Sequence, residues 1–348
     1  MKFSVLINNY NNAPYLSECL ESVLHQSRRA DEIVVVDDGS TDSSPMIIEQ
    51  YVAQFPVIKP IYQQNRGQLS ALATAIASSS GDILFLLDGD DAYKAHHLES
   101  IEKYWLHYPH IDLIYTRTDL IGRSSLSASQ IQEHEKKTRH LIGPVNNVLE
   151  HYQWGYSALL AYWDPWYYMG NTTSSLALKR EHASSLKLEE LAHHIPLRLG
   201  NADYALLLQS ALHLGRKLYI PDETVLYRIH EHSLSQRIHR SDDQSSEHYR
   251  WLMNMLLIRD QCLKNYTFHH SSFPWEFLEE EIKTIPYPSE AHLEHYKMIT
   301  KLARGRTQQL EETIKKRDAQ LHSVYNSLSW KLTKPLRKVG EIISAKLQ

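Results

Sequence analysis

Cysteine and long apolar segments are both scarce in this sequence. Cys19 and Cys262 are its only cysteines and form no C-x-x-C pair, which argues against a disulfide framework or a thiolate metal site. No apolar run approaches the roughly 20 residues that a membrane helix needs, and the N-terminus enters a strand pattern almost at once. We therefore expect a cytoplasmic protein with neither a signal peptide nor a membrane span.

An excess of positive charge is also missing. The formal net charge is -4, so the chain as a whole has no basic field for nucleic acid, and we expect no nucleic-acid partner. The 21 histidines form no H-E-x-x-H or similar ligand pattern, which leaves surface or core positions as the default for them as a group.

The first part of the chain alternates short β-branched runs with helical patterns. Two of the runs, "IVVV" and "ILFLL", are continuously apolar, as is typical of central parallel strands that are covered on both faces. The alternation predicts a βαβ series, that is, an α/β fold with a mostly parallel sheet flanked by helices. The predicted strands are "FSVLIN", "EIVVVDD", "PVIKPIY" and "DILFLL", and the predicted helices run from about Pro14 to Gln26, from Ser44-Pro45 onward and from about Gln68 to Ser79.

Polar side chains follow three of these strands at the point where each strand ends. In an open α/β sheet, ligands bind outside the carboxyl ends of the strands, so these side chains should meet in one cleft. Three carboxylates within four positions repel each other, which calls for a cation or a ring of donors nearby. The clusters are Asn8 to Asn11, Asp37 with Asp38, and Asp88 with Asp90 and Asp91.

Five segments together resemble the family 2 glycosyltransferases, which are inverting, nucleotide-sugar-dependent enzymes of the GT-A fold. They are "FSVLINNYNNAPYLSECLESVLHQS", "DEIVVVDDGSTDSS", "NRGQLSALATAIASSSGDILFLLDGDD", "GNADYALLL" and "LYRIHEHSLS". The resemblance implies a GT-A-like domain whose first half is a Rossmann-like nucleotide-binding unit. It also implies transfer of a sugar from a nucleotide diphosphate sugar, with UDP as the expected nucleotide, to an acceptor hydroxyl with inversion, in bacterial cell-surface polysaccharide synthesis.

In this family the D-x-D motif contacts a divalent metal and the donor ribose. The resemblance therefore assigns Asp90 to the metal and Asp88 to the ribose or the metal, with Asp91 behind them. Hard carboxylate ligands suit Mg²⁺ or Mn²⁺, and such an ion would stabilise the charge that grows on the leaving diphosphate. "YRIHEHSLS" matches the loop that folds over the diphosphate, which leaves His230 as a metal ligand or a phosphate donor and Arg228 as a phosphate-binding or structural residue.

The donor base is expected at the ends of the first two strands. A carboxylate can accept the imide N–H of uracil and a tyrosine can stack on its ring, so the resemblance assigns Asp38 to the base with Asn8 and Tyr10 beside it. Where the family often has Pro-Thr-Tyr-Asn, this chain reads "NNYN". "QNRGQLSA" would place Arg66 and Gly67 over the nucleotide. Core packing of Tyr10, a turn role for Asp38 and a turn cap at Gly67 are the alternatives.

An inverting transfer needs a base that accepts the proton of the attacking hydroxyl. Family members usually carry an acidic pair at the start of a helix, and the second acid is the base. Here the pair reads Ala202-Asp203, so the resemblance makes Asp203 the catalytic base. A helix-terminal acid favoured by the dipole is the alternative for Asp203, and the missing first acid leaves open a catalytically inactive sugar-nucleotide-binding module.

The acceptor side is expected in and after an aromatic stretch around residue 160. "GNTTSSLALKRE" resembles the family's acceptor-side strand, so Thr172 and Thr173 are predicted to line the site. Trp166 belongs to an aromatic group that would face an acceptor sugar or form a core lid. We expect a glycan or a lipid-linked acceptor. The Gln-x-x-Arg-Trp motif of processive members is absent, which favours single addition over polymer synthesis.

The resemblance places the glycosyltransferase domain in residues 1–240, with 1–120 as the nucleotide-binding half and 121–240 as the acceptor half, followed by a helical extension over 241–348. Residues 307–328 carry leucines and an isoleucine near heptad spacing, which fits a coiled-coil homodimer or packing onto the chain's own domain. Residues 330–348 combine an apolar stripe with lysines and arginines and resemble the tail of bacterial polysaccharide-type glycosyltransferases. They predict either peripheral contact with anionic lipid at the inner face of the membrane or a solvated terminal helix.

Two other classes of protein share parts of this pattern. A receiver domain has an acid pair at the end of its first strand, whereas here "VVVDDG" ends the second strand, and no later strand supplies the expected lone Asp followed by Thr and Lys. A nucleotidyltransferase on a similar fold would need a Gly-rich phosphate loop near the N-terminus, and "NNYNNAPY" contains no glycine. Both interpretations are weaker than the glycosyltransferase one.

Overall fold

The computed structural model describes residues 1–121, 149–152, 172–194, 202–212 and 216–230, together with Ile258. The chain divides into two compact units, Met1–Pro288 and Ser289–Gln348, and every described residue lies in the first. The predicted boundary near residue 240 and, apart from Ile258, the predicted C-terminal extension lie outside the described residues. Within the described ranges, no helix is both long and apolar enough to cross a membrane.

The first half of the described chain is the βαβ series that the sequence predicts. Its elements are β1 (Phe3–Asn9), α1 (Ala13–Leu24), β2 (Glu32–Asp37), α2 (Ser44–Gln54), β3 (Ile58–Tyr62), α3 (Gln68–Ser78) and β4 (Ile83–Asp88). The four strands are parallel and lie in the order β3-β2-β1-β4. Each connection between consecutive strands contains a helix, as parallel neighbours require.

The second half continues the same sheet but mixes strand directions. Its elements are β5 (Ala92–Tyr93), α4 (His97–His107), β6 (Leu113–Ile121), β7 (Leu149–Tyr152), β8 (Leu176–Lys179), α5 (Arg180–Ser185), α6 (Leu188–His194), α7 (Ala202–Leu212) and β9 (Arg216–Arg228), with a short 3-10 helix, Thr173–Ser175, before β8. β8 runs antiparallel between β4 and β6, β9 runs parallel to β6, and β5 and β7 pair antiparallel with β9. The predicted α/β fold class is confirmed, with a sheet that is parallel in its first half and mixed in its second.

The continuous apolar runs are buried on both faces of the sheet, which explains why they do not alternate. In β2, Ile33 and Val35 belong to a core that also contains residues of α1, α2 and α4. Val34 and Val36 belong to a second core, on the other face, with residues of α3 and α7. Because both faces lose contact with water, every side chain of the run contributes hydrophobic stabilisation.

A cluster of hydrogen bonds around Glu32 fastens the amino ends of the strands. The Glu32 side chain is 2% exposed and accepts from Ser4 Oγ at 2.5 Å, Lys59 Nζ at 2.6 Å and Gly81 N at 3.0 Å. Burial alone would raise the pKa of Glu32, but hydrogen bonds from Lys59, Ser4 and Ser80 outweigh it and lower the pKa to about 2. The amino ends of β1, β2 and β3 and the turn before β4 are thus tied together.

Candidate active site

The carboxyl ends of β1, β2 and β4 bring three polar clusters to one edge of the sheet. In the strand register, Asn8 lies opposite Asp88 on β4 and opposite Val36 on β2. The Asn8 side-chain amide donates to Asp88 Oδ1 at 2.5 Å. The strand ends therefore meet at the edge where open α/β sheets bind their ligands.

The loops that follow β1 and β2 are held to each other by side chains. Asn9 Nδ2 donates to Asp37 Oδ2 at 2.8 Å, and the Thr41 N–H donates to Asn11 Oδ1 at 2.7 Å. Asn11 adopts a positive φ of 55°, which asparagine tolerates better than most residues. These hydrogen bonds hold the two loops together as one polar surface.

Asp42 fixes the starts of the two helices that leave these loops. Its carboxylate accepts from Ala13 N and from Ser44 N, each at 2.9 Å, and so satisfies an N–H group in the first turn of both α1 and α2. Burial alone would raise the pKa of Asp42, but hydrogen bonds from Ser44 and Ala13 outweigh it and lower the pKa. The preceding loops are thereby anchored to both helices.

Asp38 holds the loop before α3. It is 3% exposed, and its Oδ1 accepts from Gln63 Nε2 at 2.6 Å and from Arg66 N at 2.9 Å. Its Oδ2 accepts from Gly67 N at 2.8 Å. Gly67 has a φ of 91°, which glycine adopts without strain, and α3 begins at the next residue. Asp38 therefore has the turn role that was the alternative to its predicted base contact, and the base contact stays a prediction.

Two predicted donor residues are exposed beside these loops. Tyr10 follows β1 and is 48% exposed, so core packing, the alternative for this residue, is wrong. Arg66 is exposed as well, with Nη2 at 3.3 Å from Gln63 Oε1. The Tyr10 ring is thus open to a planar ligand at the edge of the sheet.

The acids at and just after the end of β4 have little positive charge to compensate their negative charges. Asp91 is buried, and its carboxylate accepts from Ser174 Oγ at 2.6 Å and from Arg228 N at 2.8 Å. Burial, followed by repulsion from Asp90 and Asp88, raises the pKa of Asp91 well above its usual range. Burial, and then the charge of Asp90, likewise raises the pKa of Asp88 to about 7. A nearby positive charge would stabilise both carboxylates.

Gly89 allows the acid turn to pack against the end of β1. A Cβ atom at this position would lie 2.6 Å from Asn9 Oδ1 and 3.2 Å from the Asn8 carbonyl oxygen. The Gly89 N–H donates to that carbonyl at 2.9 Å. The glycine between Asp88 and Asp90 therefore permits a close backbone approach that holds the acids against the asparagines.

The end of β9 brings an arginine and the following histidine to the same turn. His230 Nε2 lies 3.0 Å from Asp90 Oδ2. The Arg228 guanidinium donates from Nε to the Asp90 carbonyl at 2.8 Å and from Nη2 to Glu18 Oε2 at 2.6 Å. Arg228 therefore has a structural role, since it braces the main chain of the acid turn against α1. A phosphate contact of Arg228 stays a prediction.

Gln68, to which no role was assigned from the sequence, links β4 to the 3-10 helix. Its Nε2 lies 3.0 Å from Asp88 Oδ1 and 3.5 Å from Thr173 Oγ1. Thr172 and Thr173 are both buried, and Ser174, directly after them, accepts from Asp88 N at 3.0 Å and donates to Asp91 Oδ2 at 2.6 Å, so this segment lies beside the acid turn. The only sequence signal for Gln68 is its place directly after Gly67, at the start of α3.

The predicted base stands at the start of a helix, beside the same acids. α7 begins at Ala202 and carries Asp203 in its first turn. The charge of Asp203 contributes, after burial and the charge of Asp90, to the raised pKa of Asp88, so the two carboxylates are near each other. Asp203 is partly exposed. Trp166, the remaining predicted site residue, lies outside the described residues.

Asp90 and His230 are the residues that fit a divalent metal. Their Oδ2 and Nε2 atoms lie 3.0 Å apart, a separation that suits two ligands of one ion. Asp88 Oδ1 instead accepts from Asn8 and Gln68, and among the described residues no group of three or more His, Cys, Asp or Glu side chains is placed to hold a metal. Mg²⁺ sites commonly use one or two carboxylates and complete their shell with substrate phosphates and water. The residues thus fit a metal that a phosphorylated substrate completes.

Two solved structures that contain a bound nucleotide sugar share this fold. The chain aligns with TarS of Staphylococcus aureus, solved in complex with UDP-GlcNAc, at a TM-score of 0.55 and 18% identity over 78% of this chain and 69% of that one. It aligns with the mannosyltransferase PcManGT of Pyrobaculum calidifontis, solved with GDP-Man and Mn²⁺, at a TM-score of 0.52 and 16% identity over 95% of this chain and 82% of that one. Identity this low concerns the fold alone, which is the GT-A fold predicted from the sequence.

Sequence comparison then matches part of the chain to a family of known proteins. An uncharacterised glycosyltransferase of Nostoc sp. is 40% identical over 142 residues, which are 38% of this chain and 44% of the relative. The minor teichoic acid biosynthesis protein GgaA of Bacillus subtilis is 31% identical over 157 residues, which are 43% of this chain and 34% of the relative. The matches therefore span less than half the length of these curated relatives. Residues 4–162, which are less than half of the chain, match the model of "Glycosyl transferase family 2", so the family 2 glycosyltransferase domain lies in this part of the chain.

Proposed function

We propose that the protein is a glycosyltransferase that moves a sugar from a nucleotide diphosphate sugar to a hydroxyl group of a glycan or lipid-linked acceptor, with inversion at the anomeric carbon. UDP is the proposed nucleotide, and Mn²⁺ or Mg²⁺ the proposed metal. One relative is a teichoic acid biosynthesis protein, which supports a role in the synthesis of cell-surface polymers. The observation that carries the proposal is the meeting of Asn8, Asp88, Asp90 and His230 with Asp203 at the carboxyl edge of the sheet.

The donor nucleotide is proposed to lie across the ends of β1 and β2. The exposed Tyr10 ring supports stacking on the base. The hydrogen bonds between the two loops support a polar surface of fixed shape behind the base. Asp38 already accepts three hydrogen bonds, so a base contact would use its remaining acceptor capacity. The complex of TarS contains UDP-GlcNAc and that of the mannosyltransferase GDP-Man, so the identity of the base needs a direct test.

Asp203 is the proposed base for the acceptor hydroxyl. A partly exposed carboxylate in the first turn of α7, near Asp88, can take the proton while the hydroxyl oxygen attacks the donor sugar. Asp90 and His230 would hold the metal, which when bound neutralises negative charge on the leaving diphosphate. Gln68 and Asn8 orient Asp88 beside them through its Oδ1 atom.

A panel of nucleotide sugars tests the donor. A ligand that binds the folded protein raises its melting temperature by mass action. We expect UDP-sugars with Mn²⁺ to raise the melting temperature more than GDP- or ADP-sugars do. The same shift with every nucleotide, or a shift with none, would contradict the proposed donor.

Substitution of the proposed base tests the chemistry. Asp203→Asn should lower the rate of sugar transfer or donor hydrolysis about a hundredfold or more and leave donor affinity nearly unchanged, because it removes the proton acceptor but no donor contact. Rates are measured with the donor that the panel identifies, affinity by calorimetry, and the anomeric configuration of the product by NMR. An equal loss of donor affinity would reassign Asp203 to binding, and a retained configuration would contradict inversion.

Ala202 supports a second candidate, a catalytically inactive sugar-nucleotide-binding module. It stands where family members usually have the first acid of the pair, and its side chain is buried. Donor binding without any transfer or hydrolysis in the presence of Mn²⁺ would favour this candidate over an enzyme.

We also propose that residues 330–348, which lie outside the described residues, contact anionic lipid, so that the enzyme is cytoplasmic and peripheral at the inner face of the membrane. Their basic residues and apolar stripe support this. Deletion of 330–348 should abolish co-sedimentation with anionic vesicles and leave donor hydrolysis unchanged. Binding that persists after the deletion would contradict it.

A homodimer through residues 307–328 is tested by sedimentation of the full chain, which should then have twice the mass of one chain.

A further inference from the structure

The ring of Tyr15 lies against both side chains that the end of β9 brings to the acid turn. Cζ of Arg228 lies 4.9 Å from the centre of the Tyr15 ring. The centre of the His230 ring lies 4.5 Å from the same ring, and the two planes are inclined by 46°. Tyr15 stands near the start of α1, far in sequence from β9, so only the fold brings these groups together.

Both contacts are made by the aromatic ring of Tyr15, and neither of them uses its hydroxyl group. A tyrosine ring attracts a guanidinium placed over its face and packs well against an imidazole. Both partners are strongly buried, with side-chain exposures of 11% for Arg228 and 9% for His230. A loss of the ring would therefore open space beside both side chains.

The same helix anchors Arg228 a second time. Glu18, one turn after Tyr15, accepts from Arg228 Nη2 at 2.6 Å. Arg228 in turn donates to the Asp90 carbonyl, and His230 Nε2 lies 3.0 Å from Asp90 Oδ2. A continuous set of contacts thus connects α1 with the two atoms that fit a metal.

We propose that Tyr15 is a positioning residue for the metal site, which keeps the His230 imidazole turned so that Nε2 and Asp90 Oδ2 face the same point. The inference rests on the proposed function, because it takes Asp90 and His230 as ligands. Side chains that hold a metal ligand in place set its orientation and raise metal affinity without touching the ion. Tyr15 acts through His230 and is not itself a ligand.

The test measures the affinity of the full-length protein for Mn²⁺ alone, from the EPR signal of the free ion during titration. Tyr15→Ala should weaken Mn²⁺ binding about tenfold, as loss of an outer-shell partner does. Tyr15→Phe keeps the ring and should bind within about twofold of the unsubstituted protein. Unchanged affinity in Tyr15→Ala, or an equal loss in Tyr15→Phe, would overturn the proposal.

Tyr51→Ala is the matched control. Tyr51 is another partly buried tyrosine that contacts α1, but its hydroxyl donates to Glu21 near the far end of the helix at 2.8 Å, and its ring stacks on Phe55. Tyr51→Ala removes the same side-chain atoms as Tyr15→Ala, but from α2 where it packs against α1, so Mn²⁺ affinity should not change. A loss as large as that in Tyr15→Ala would show that general loosening of α1 is sufficient and would overturn a positioning role.

A double-mutant cycle with His230→Ala separates positioning from other effects. If Tyr15 acts through His230, Tyr15→Ala should cause less than about a twofold further loss when His230 is already absent. Fully additive losses would overturn the proposal. Tyr15→Leu, which fills space without an aromatic face, replaces Tyr15→Ala if the latter does not fold, and it should weaken Mn²⁺ binding about threefold or more.

Failure of the proposed function would give a different result. If the unsubstituted protein binds neither Mn²⁺ nor, with Mn²⁺, any nucleotide sugar, the metal site is wrong and the inference falls with it. Normal Mn²⁺ binding by the unsubstituted protein together with an unaffected Tyr15→Ala would overturn the inference alone.

Discussion

Single carboxylates behave in opposite ways at the two edges of this sheet. Burial acts to raise the pKa of both Glu32, at the amino edge, and Asp88, at the carboxyl edge. At Glu32, hydrogen bonds from Lys59 and neighbouring donors reverse the effect, and the pKa falls to about 2. At Asp88, the charge of Asp90 adds to it, and the pKa rises to about 7. One edge is thus built for stability, and the other holds a carboxyl group whose ionised form lacks compensating charge where a ligand would bind.

The Glu32 cluster makes a prediction about stability and pH. Glu32→Gln should lower the free energy of unfolding by about 2–3 kcal/mol at pH 7, since it removes the charge that the donors stabilise. The pKa of about 2 in the folded protein lies below the ordinary value of 4.5, so this stabilisation is present above pH 4.5 and is lost as the pH falls towards 2. Urea unfolding of both proteins at several pH values measures the difference.

The exposed Glu49, which accepts from the Tyr62 hydroxyl at 2.6 Å, provides the control for this substitution. Glu49→Gln should change stability by less than about 0.5 kcal/mol at any of these pH values. A difference between Glu32→Gln and the unsubstituted protein that stayed constant from pH 7 to pH 2 would contradict the account.

Residues whose role depends on a distant partner could not be predicted from the sequence. Asp90 and Asp203 were named because each stands in a local motif, at a strand end or at a helix start. Tyr15 and Gln68 were not, because their partners His230 and Thr173 come from other parts of the chain and meet them only in the folded sheet. A motif also fails to distinguish a turn contact from a ligand contact, because a carboxylate suits both.

Helices α1 and α2 depend on one shared cap. Asp42→Ala should lower the free energy of unfolding by about 1–2 kcal/mol, because N–H groups at the start of both helices lose their acceptor. Ser43→Ala is the matched control, since Ser43 occupies the cap position of α2 but makes no capping hydrogen bond through its side chain. Urea unfolding compares the two variants. Equal losses of stability would show that Asp42 is not the cap.

The elements of the first half were predictable because each carries a strong local pattern. The apolar runs of β2 and β4 and the helices between the strands appear within a few residues of their predicted positions. The second half was not predictable in the same way, because β5 has 2 residues and β8 has 4, too few for a periodic pattern. The antiparallel place of β8 between β4 and β6 is set by long-range pairing, on which a local pattern gives no information.

At the scale of the whole described sheet, the candidate site lies where its parallel and mixed parts adjoin. The parallel part supplies Asn8 and the acids after β4, and the mixed part supplies Arg228 and, just beyond β9, His230. Asp203 lies on α7, which packs on the same face of the sheet as α3. The groups proposed to bind the donor and the group proposed to activate the acceptor are thus held by one sheet and a helix packed on it, which is what an accurate transfer geometry requires.

The affinity for UDP with and without Mn²⁺ tests the central claim most directly, namely that this edge is a metal-dependent site for a nucleotide diphosphate. Calorimetry should show that Mn²⁺ tightens UDP binding about tenfold or more, and that Asp90→Asn abolishes this gain because it removes a metal ligand. Asp82→Asn, at the opposite end of β4, should keep the full gain, since the Asp82 carboxylate accepts from Lys2 N at 2.7 Å, at the other edge of the sheet from Asp90. UDP binding that is indifferent both to Mn²⁺ and to Asp90→Asn would contradict the account.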